Sequence, residues 1–179
     1  MLVVAATERE LALLDGLDTF CCGIGPVEAA LRTAGALAER RPDAVLHIGI
    51  AGGRGIEPPA LVIGSESVYC DVIDAANTLP RVERVEPDAA LLAAARAALP
   101  EAHVLPIATC GKVGGGTACD VEAMEGFGVL RAAELAGVPA LELRAISNAP
   151  EQAERGRWQI EEALAALAEA VPRLLASLS

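Results

Sequence analysis

VEAMEGFGVLRAAELAGVPALELRAISN, residues Val121 to Asn148, is the stretch that decides the fold. It opens with two acidic residues, Glu122 and Glu125, and continues as a helical run. Gly137-Val138-Pro139 breaks that run: glycine reaches the left-handed helix-ending conformation and proline cannot continue the hydrogen-bond ladder. The chain is then apolar from Ala140 to Ile146 and turns polar at Ser147-Asn148. A buried strand that ends in a polar group is where α/β proteins place binding groups. Here a carboxylate stands at one end of the segment and an amide at the other. That pair suits a ligand with a diol and a heterocycle.

Working back toward the N-terminus, Met1 to Ala6 reads as a short apolar strand that runs into Thr7-Glu8-Arg9-Glu10. Thr7 and Glu10 have capping-box spacing, so Glu10 is either a helix cap or a carboxylate at the mouth of the first strand. A second strand, Asp18 to Cys22, leads through Gly23-Ile24-Gly25-Pro26 into a helix over Val27 to Arg40. Such a turn is a tight strand–helix joint, or it presents free backbone N–H groups, Gly25 among them, to a ligand. The third strand, Ala44 to Ile48, ends in Gly49-Ile50-Ala51-Gly52-Gly53, where a ligand could approach the backbone at Ala51 and Gly52. His47, inside that strand, is expected to be a satisfied core histidine.

Leu61 to Val68 is a further strand, and Asp71 and Asp74 after it are expected to be solvated turn residues. Asn77 to Pro87 reads as a polar connector, and Pro87-Asp88 starts an Ala-rich helix to Leu99. After the strand His103 to Ala108 comes a flexible glycine-rich loop, Gly111 to Gly116, carrying Lys112 and Val113. Beyond Asn148 lies a polar loop, Glu151 to Arg157, followed by Trp158, the only tryptophan. The last helix, Gln159 to Leu178, carries Ile160, Leu164, Leu167, Val171, Leu174 and Leu175 at helical spacing, a core-facing stripe. Strands alternate with helices throughout. The expected class is α/β: a single domain over residues 1–179 with one mixed, mostly parallel central sheet flanked by helices.

The 14 basic against 25 acidic residues give a net charge of -11, which argues against nucleic acid or an anionic membrane as the partner. Five cysteines, Cys21, Cys22, Cys70, Cys110 and Cys119, form no metal-binding pattern with histidine. No metal and no cofactor are expected. With no signal peptide read at the start, the thiols are taken as reduced and the protein as cytoplasmic.

TERELALL, GIGPVEAA, GIAGG, SESVYCDV, VEAMEG and RAISN occur in the order found in the nucleoside phosphorylase/nucleosidase superfamily, which the chain resembles over nearly its full length. Within it the chain resembles the methylthioadenosine/S-adenosylhomocysteine nucleosidases. MEG with RAISN and RGRW looks most like the futalosine hydrolases, which release hypoxanthine from futalosine in menaquinone biosynthesis. The resemblance implies that Glu10 activates the attacking water, that Met124 and Glu125 bind the ribose, and that Asn148 contacts the purine. Adenine-specific relatives have Asp at that last position. An amide can donate to the carbonyl of a 6-oxopurine or to N7, so Asn148 points to hypoxanthine.

Two departures accompany the resemblance. Little lies between Leu14 and Cys21, where an extra hairpin is expected. The loop at Cys110 to Asp120 lacks the aromatic that stacks on the base, and Val113 stands in for it. Futalosine carries a benzoate, for which Lys112 is the first expected cation, with Arg54, Arg155 and Arg157 as rivals. The competing readings are an adenine-releasing nucleosidase, an inosine-type phosphorylase, and a nucleoside-binding protein without turnover. A homo-oligomer is expected.

Overall fold

In the computed structural model, which describes residues 1–76, 78–114 and 116–178, the 140–148 segment is the hub of the sheet. Asn77 of the connector and Gly115 of the glycine loop lie outside the described residues. Strand β8 (Ala140–Asn148) is buried along its whole length. An apolar strand buried on both faces takes a central place, with helices covering both sides. It pairs in parallel with β3 (Val45–Gly53) and antiparallel with β4 (Leu61–Tyr69).

From β3 the sheet extends in parallel through β1 (Leu2–Ala5) to β2 (Thr19–Cys21). On the other side β4 carries β6 (His103–Thr109) in parallel and a two-residue edge strand, β5 (Arg84–Val85). A short strand, β7 (Val121–Ala123), joins β6 to β3, so that β3, β8, β4, β6 and β7 form a closed circuit of pairings. Five of the eight pairings are parallel, as a mixed, mostly parallel sheet requires.

The helices follow their local signals. In α1 (Glu8–Leu11) the Thr7–Glu10 capping box forms. Pro26 opens α2 (Pro26–Arg40), and the Asp88 side chain accepts from the Ala90 and Leu91 amides at the start of α3 (Ala89–Ala98). Gly137, at φ 69°, ends α4 (Gly126–Ala136), as the Gly-Val-Pro break required. The stripe on α5 (Ile160–Ser177) packs Leu167, Val171 and Leu174 into a core with Leu46, Leu141 and Leu143. Truncating one such Leu to Ala costs about 2–5 kcal/mol.

Three expectations are corrected. The glycines after Ile48 do not form a loop: β3 runs on to Gly53, with a register shift between Ala51 and Gly52. The polar connector contains β5, and the acidic opening of the 121–148 stretch is itself a strand, β7. Among the described residues no helix is long and apolar enough to cross a membrane.

Candidate active site

Parallel strands β1, β3 and β8 end on one side of the sheet, and helices α1 and α4 begin there. A cavity of about 430 Å³ opens at that point. Its apolar wall includes Ala6, Ile24, Ile50, Ala123, Met124 and Trp158, and its polar groups include Glu10, Glu122, Glu125, Ser147 and Asn148. Ala51, Gly52, Lys112 and Val113 also line it. Of the residues expected from the sequence, Gly25 and the rival cations Arg54 and Arg157 are not part of the wall, and Gly25 acts on the site through its backbone.

Glu10 is held on both oxygens. Oε2 accepts from the Thr7 amide at 3.0 Å and the Thr7 hydroxyl at 2.8 Å, while Oε1 accepts from the Ile50 amide at 3.1 Å. The helix-cap and cavity-carboxylate readings of Glu10 therefore hold together. Glu125 is 5% exposed and takes the Gly25 N–H at 3.0 Å on Oε1. Gly25 has a φ of 92°, which a side chain would strain, so glycine is needed to aim that N–H. Burial pushes the Glu125 carboxyl above the usual glutamate range; the Arg144 guanidinium and the Gly25 amide oppose it, and Glu10 and Glu142 add to it.

Asn148 closes the opposite wall. Its Oδ1 accepts from the Ser147 hydroxyl at 2.7 Å and its Nδ2 donates to the Ala149 carbonyl at 2.8 Å. These bonds fix the amide plane and leave Nδ2 a second N–H.

A buried array that the sequence reading did not single out lies beneath these groups. Arg144, 1% exposed, donates from Nε to Glu142 Oε1 at 2.8 Å, contacts His47 Nε2 at 2.5 Å, and stands 3.8 Å from Glu125 Oε2. His47 is the satisfied core histidine expected of it: burial, then Arg144, holds its ring well below the usual imidazole range, and Nδ1–H donates to the Val4 carbonyl at 3.0 Å. A signal for the array was available, because Glu142 and Arg144 stand two apart in an otherwise apolar strand. Burial and the neighbouring Glu125 charge push the Cys22 thiol up to about 12, so it behaves as a small hydrophobe.

The candidate cations separate clearly. Arg54 is committed to Glu122 and Glu151 and to the Thr117 and Cys119 carbonyls. Arg157 pairs with Glu154 and does not line the cavity. Lys112 and Arg155 line it, and neither forms an ion pair with a described residue; Arg155 lies 5.6 Å over the Trp158 ring. Asp74 accepts from the Ala76, Thr78 and Leu79 amides, as a turn residue does, whereas Asp71 accepts from the Gly111 amide of a distant loop. Among the described residues no group of three or more His, Cys, Asp or Glu is placed to hold a metal.

Residues 19–179 match the Phosphorylase superfamily. The chain belongs to that superfamily. It is 39% identical over 193 residues to the futalosine hydrolase of Streptomyces coelicolor, a match covering 90% of this chain and 80% of that protein. Among solved structures, a 5′-methylthioadenosine/S-adenosylhomocysteine nucleosidase from Colwellia psychrerythraea in complex with adenine superposes with a TM-score of 0.88 at 23% identity, covering 99% of this chain and 94% of that one. The native futalosine hydrolase of Helicobacter pylori gives a TM-score of 0.88 at 18% identity, covering 98% and 96%. At those identities the two structures establish the nucleosidase-type α/β fold and no more.

Proposed function

We propose that the protein is a futalosine hydrolase, which cleaves the N-glycosidic bond of futalosine with water and releases hypoxanthine. The carrying observation is that Glu10, Glu125 and Asn148 wall one cavity. The relation to the Streptomyces coelicolor enzyme supports the substrate.

In this reading Glu10 takes the proton of the attacking water. Positioned general bases of this kind contribute about 10²–10⁴-fold. Glu125, with Met124 beside it, accepts from the ribose hydroxyls, and the two carboxylates stabilise the positive charge that develops on the sugar. The second N–H of Asn148 donates a hydrogen bond to O6 or N7 of the departing base, which takes up a proton from solvent as the C–N bond breaks, and Glu10 returns the proton of the water to solvent. The backbone at Gly25, Ala51 and Gly52 gives the sugar and base a close approach, and Val113 covers them. Lys112 and Arg155 receive the benzoate, since Arg54 and Arg157 are committed elsewhere. Residues 1–179 act as one catalytic domain, in the cytoplasm and as a homo-oligomer, with Ile24, 63% exposed at the cavity wall, available to a neighbouring copy.

The test is incubation with futalosine, inosine and methylthioadenosine, with and without phosphate, followed by chromatography of the released base. Hypoxanthine from futalosine, independent of phosphate, is the expected result. Adenine from methylthioadenosine alone would overturn the reading of Asn148, and strict phosphate dependence would make the protein a phosphorylase. Binding without release from any of the three would leave a nucleoside-binding protein.

A further inference from the structure

Glu142 has no part in the chemistry above, yet it is fully buried beside Arg144. The two side chains lie on the same face of β8. Glu142 Oε1 accepts from Arg144 Nε at 2.8 Å, and Oε2 accepts from the Ser67 hydroxyl. Glycines make the room: a Cβ at Gly126 would collide with the Glu142 carboxylate, and one at Gly49 with the Arg144 guanidinium.

A free guanidinium beside a buried carboxylate closes to a bidentate pair at about 2.7–2.9 Å. Arg144 does not close on Glu125, which stays 3.8 Å away, because Glu142 holds its Nε and His47 contacts its Nη2. We infer that Glu142 is a positioning residue that, with Ser67 and His47, holds the Arg144 guanidinium back from Glu125 and so leaves the Glu125 carboxylate open to the hydroxyls of a ligand. The inference rests on the ribose-binding role given to Glu125 above.

The charged and titratable groups acting on Glu125 are Arg144 and Glu142 of β8, Glu10 of α1, and the Cys22 thiol that follows β2; His47 of β3 is neutral. Glu142→Gln keeps the shape and removes one like charge. Arg144 then turns to Glu125 and competes with the ligand.

The experiment is futalosine turnover by the full chain across pH, with kcat and KM separated. For Glu142→Gln the expected result is a KM raised roughly tenfold, the size of one charge-assisted hydrogen bond, with kcat changed less. The acid limb of kcat/KM moves to lower pH, because Glu125 loses a neighbour that favours its protonated form. A merely structural role would not move that limb. Ser67→Ala keeps the Glu142 charge, and its expected effect is a KM raised roughly threefold with the limb unmoved.

A folded Glu142→Gln with wild-type KM and acid limb overturns the inference. If that variant does not fold, an unchanged KM in Ser67→Ala overturns it. Wild-type protein that releases no hypoxanthine overturns the proposed function and the inference together, whereas active wild type with silent variants overturns the inference alone.

Discussion

Asn148→Asp tests the base-recognition reading at a single atom. In the native site Nδ2 donates to the Ala149 carbonyl at 2.8 Å and Oδ1 accepts from Ser147 at 2.7 Å, with the residue 7% exposed. The substitution puts an acceptor where the donor was, so two oxygens face each other in a buried place. The carbonyl loses its partner, which costs about 1–3 kcal/mol. The repulsion is relieved if the new carboxyl takes up a proton, so its pKa is higher folded than unfolded. The folded state then holds more protons than the unfolded state, and stability falls as pH rises through that window. The lost N–H toward the base compares with the removal of one oxyanion-hole donor, roughly 10²–10³ in kcat. Hypoxanthine release from futalosine should fall by that factor, adenine release from methylthioadenosine should rise, and the Tm deficit should grow from acid to neutral pH. Futalosine turnover within a few-fold of wild type, with a Tm deficit indifferent to pH, would refute the reasoning.

Glu10→Gln is expected to lower kcat by about 10²–10⁴ with little change in KM, since the acceptor of the water proton is lost; steady-state kinetics on futalosine measure it. It also sets an amide nitrogen against the Thr7 or Ile50 donors, so chemical denaturation should show a loss of about 1–3 kcal/mol. Lys112→Ala and Arg155→Ala should each raise KM for futalosine and leave KM for inosine, which has no benzoate, unchanged; an unchanged futalosine KM in Lys112→Ala removes Lys112 from the assignment. Arg54→Ala strips the cation from buried Glu122, whose carboxyl is pushed up by burial but held below the usual range by Thr117 and Arg54. Because Thr117 remains, urea denaturation should show a loss at the low end for a broken buried pair, about 3 kcal/mol.

Local signals were legible in the sequence because their partners are two to four residues away. The Thr7–Glu10 box, the Asp88 cap and the Gly137 stop all formed where they were read. What was missed depends on distant partners. β7 has three residues and exists because β3 and β6 flank it, and β5 has two residues paired to β4. The glycines of β3 signal a loop because glycine breaks strands, yet each is small for a tertiary reason. Gly49 clears Arg144, Gly52 lies under Pro150, and Gly53 lies under Ile146. The site shows the same division. Glu10, Glu125 and Asn148 could be placed together only through the resemblance, since more than a hundred residues separate the first from the other two. The array beneath them was half visible: a Glu-Leu-Arg triplet inside an apolar strand is one half, and a strand rich in glycine is the other. The parallel register that sets His47 against Glu142 and Gly49 against Arg144 joins the halves. Arg144 fits in this central strand because Gly49 across from it has no side chain and Glu142 beside it supplies the partner charge. The two irregularities in the sequence are therefore one requirement, and only the pairing shows it.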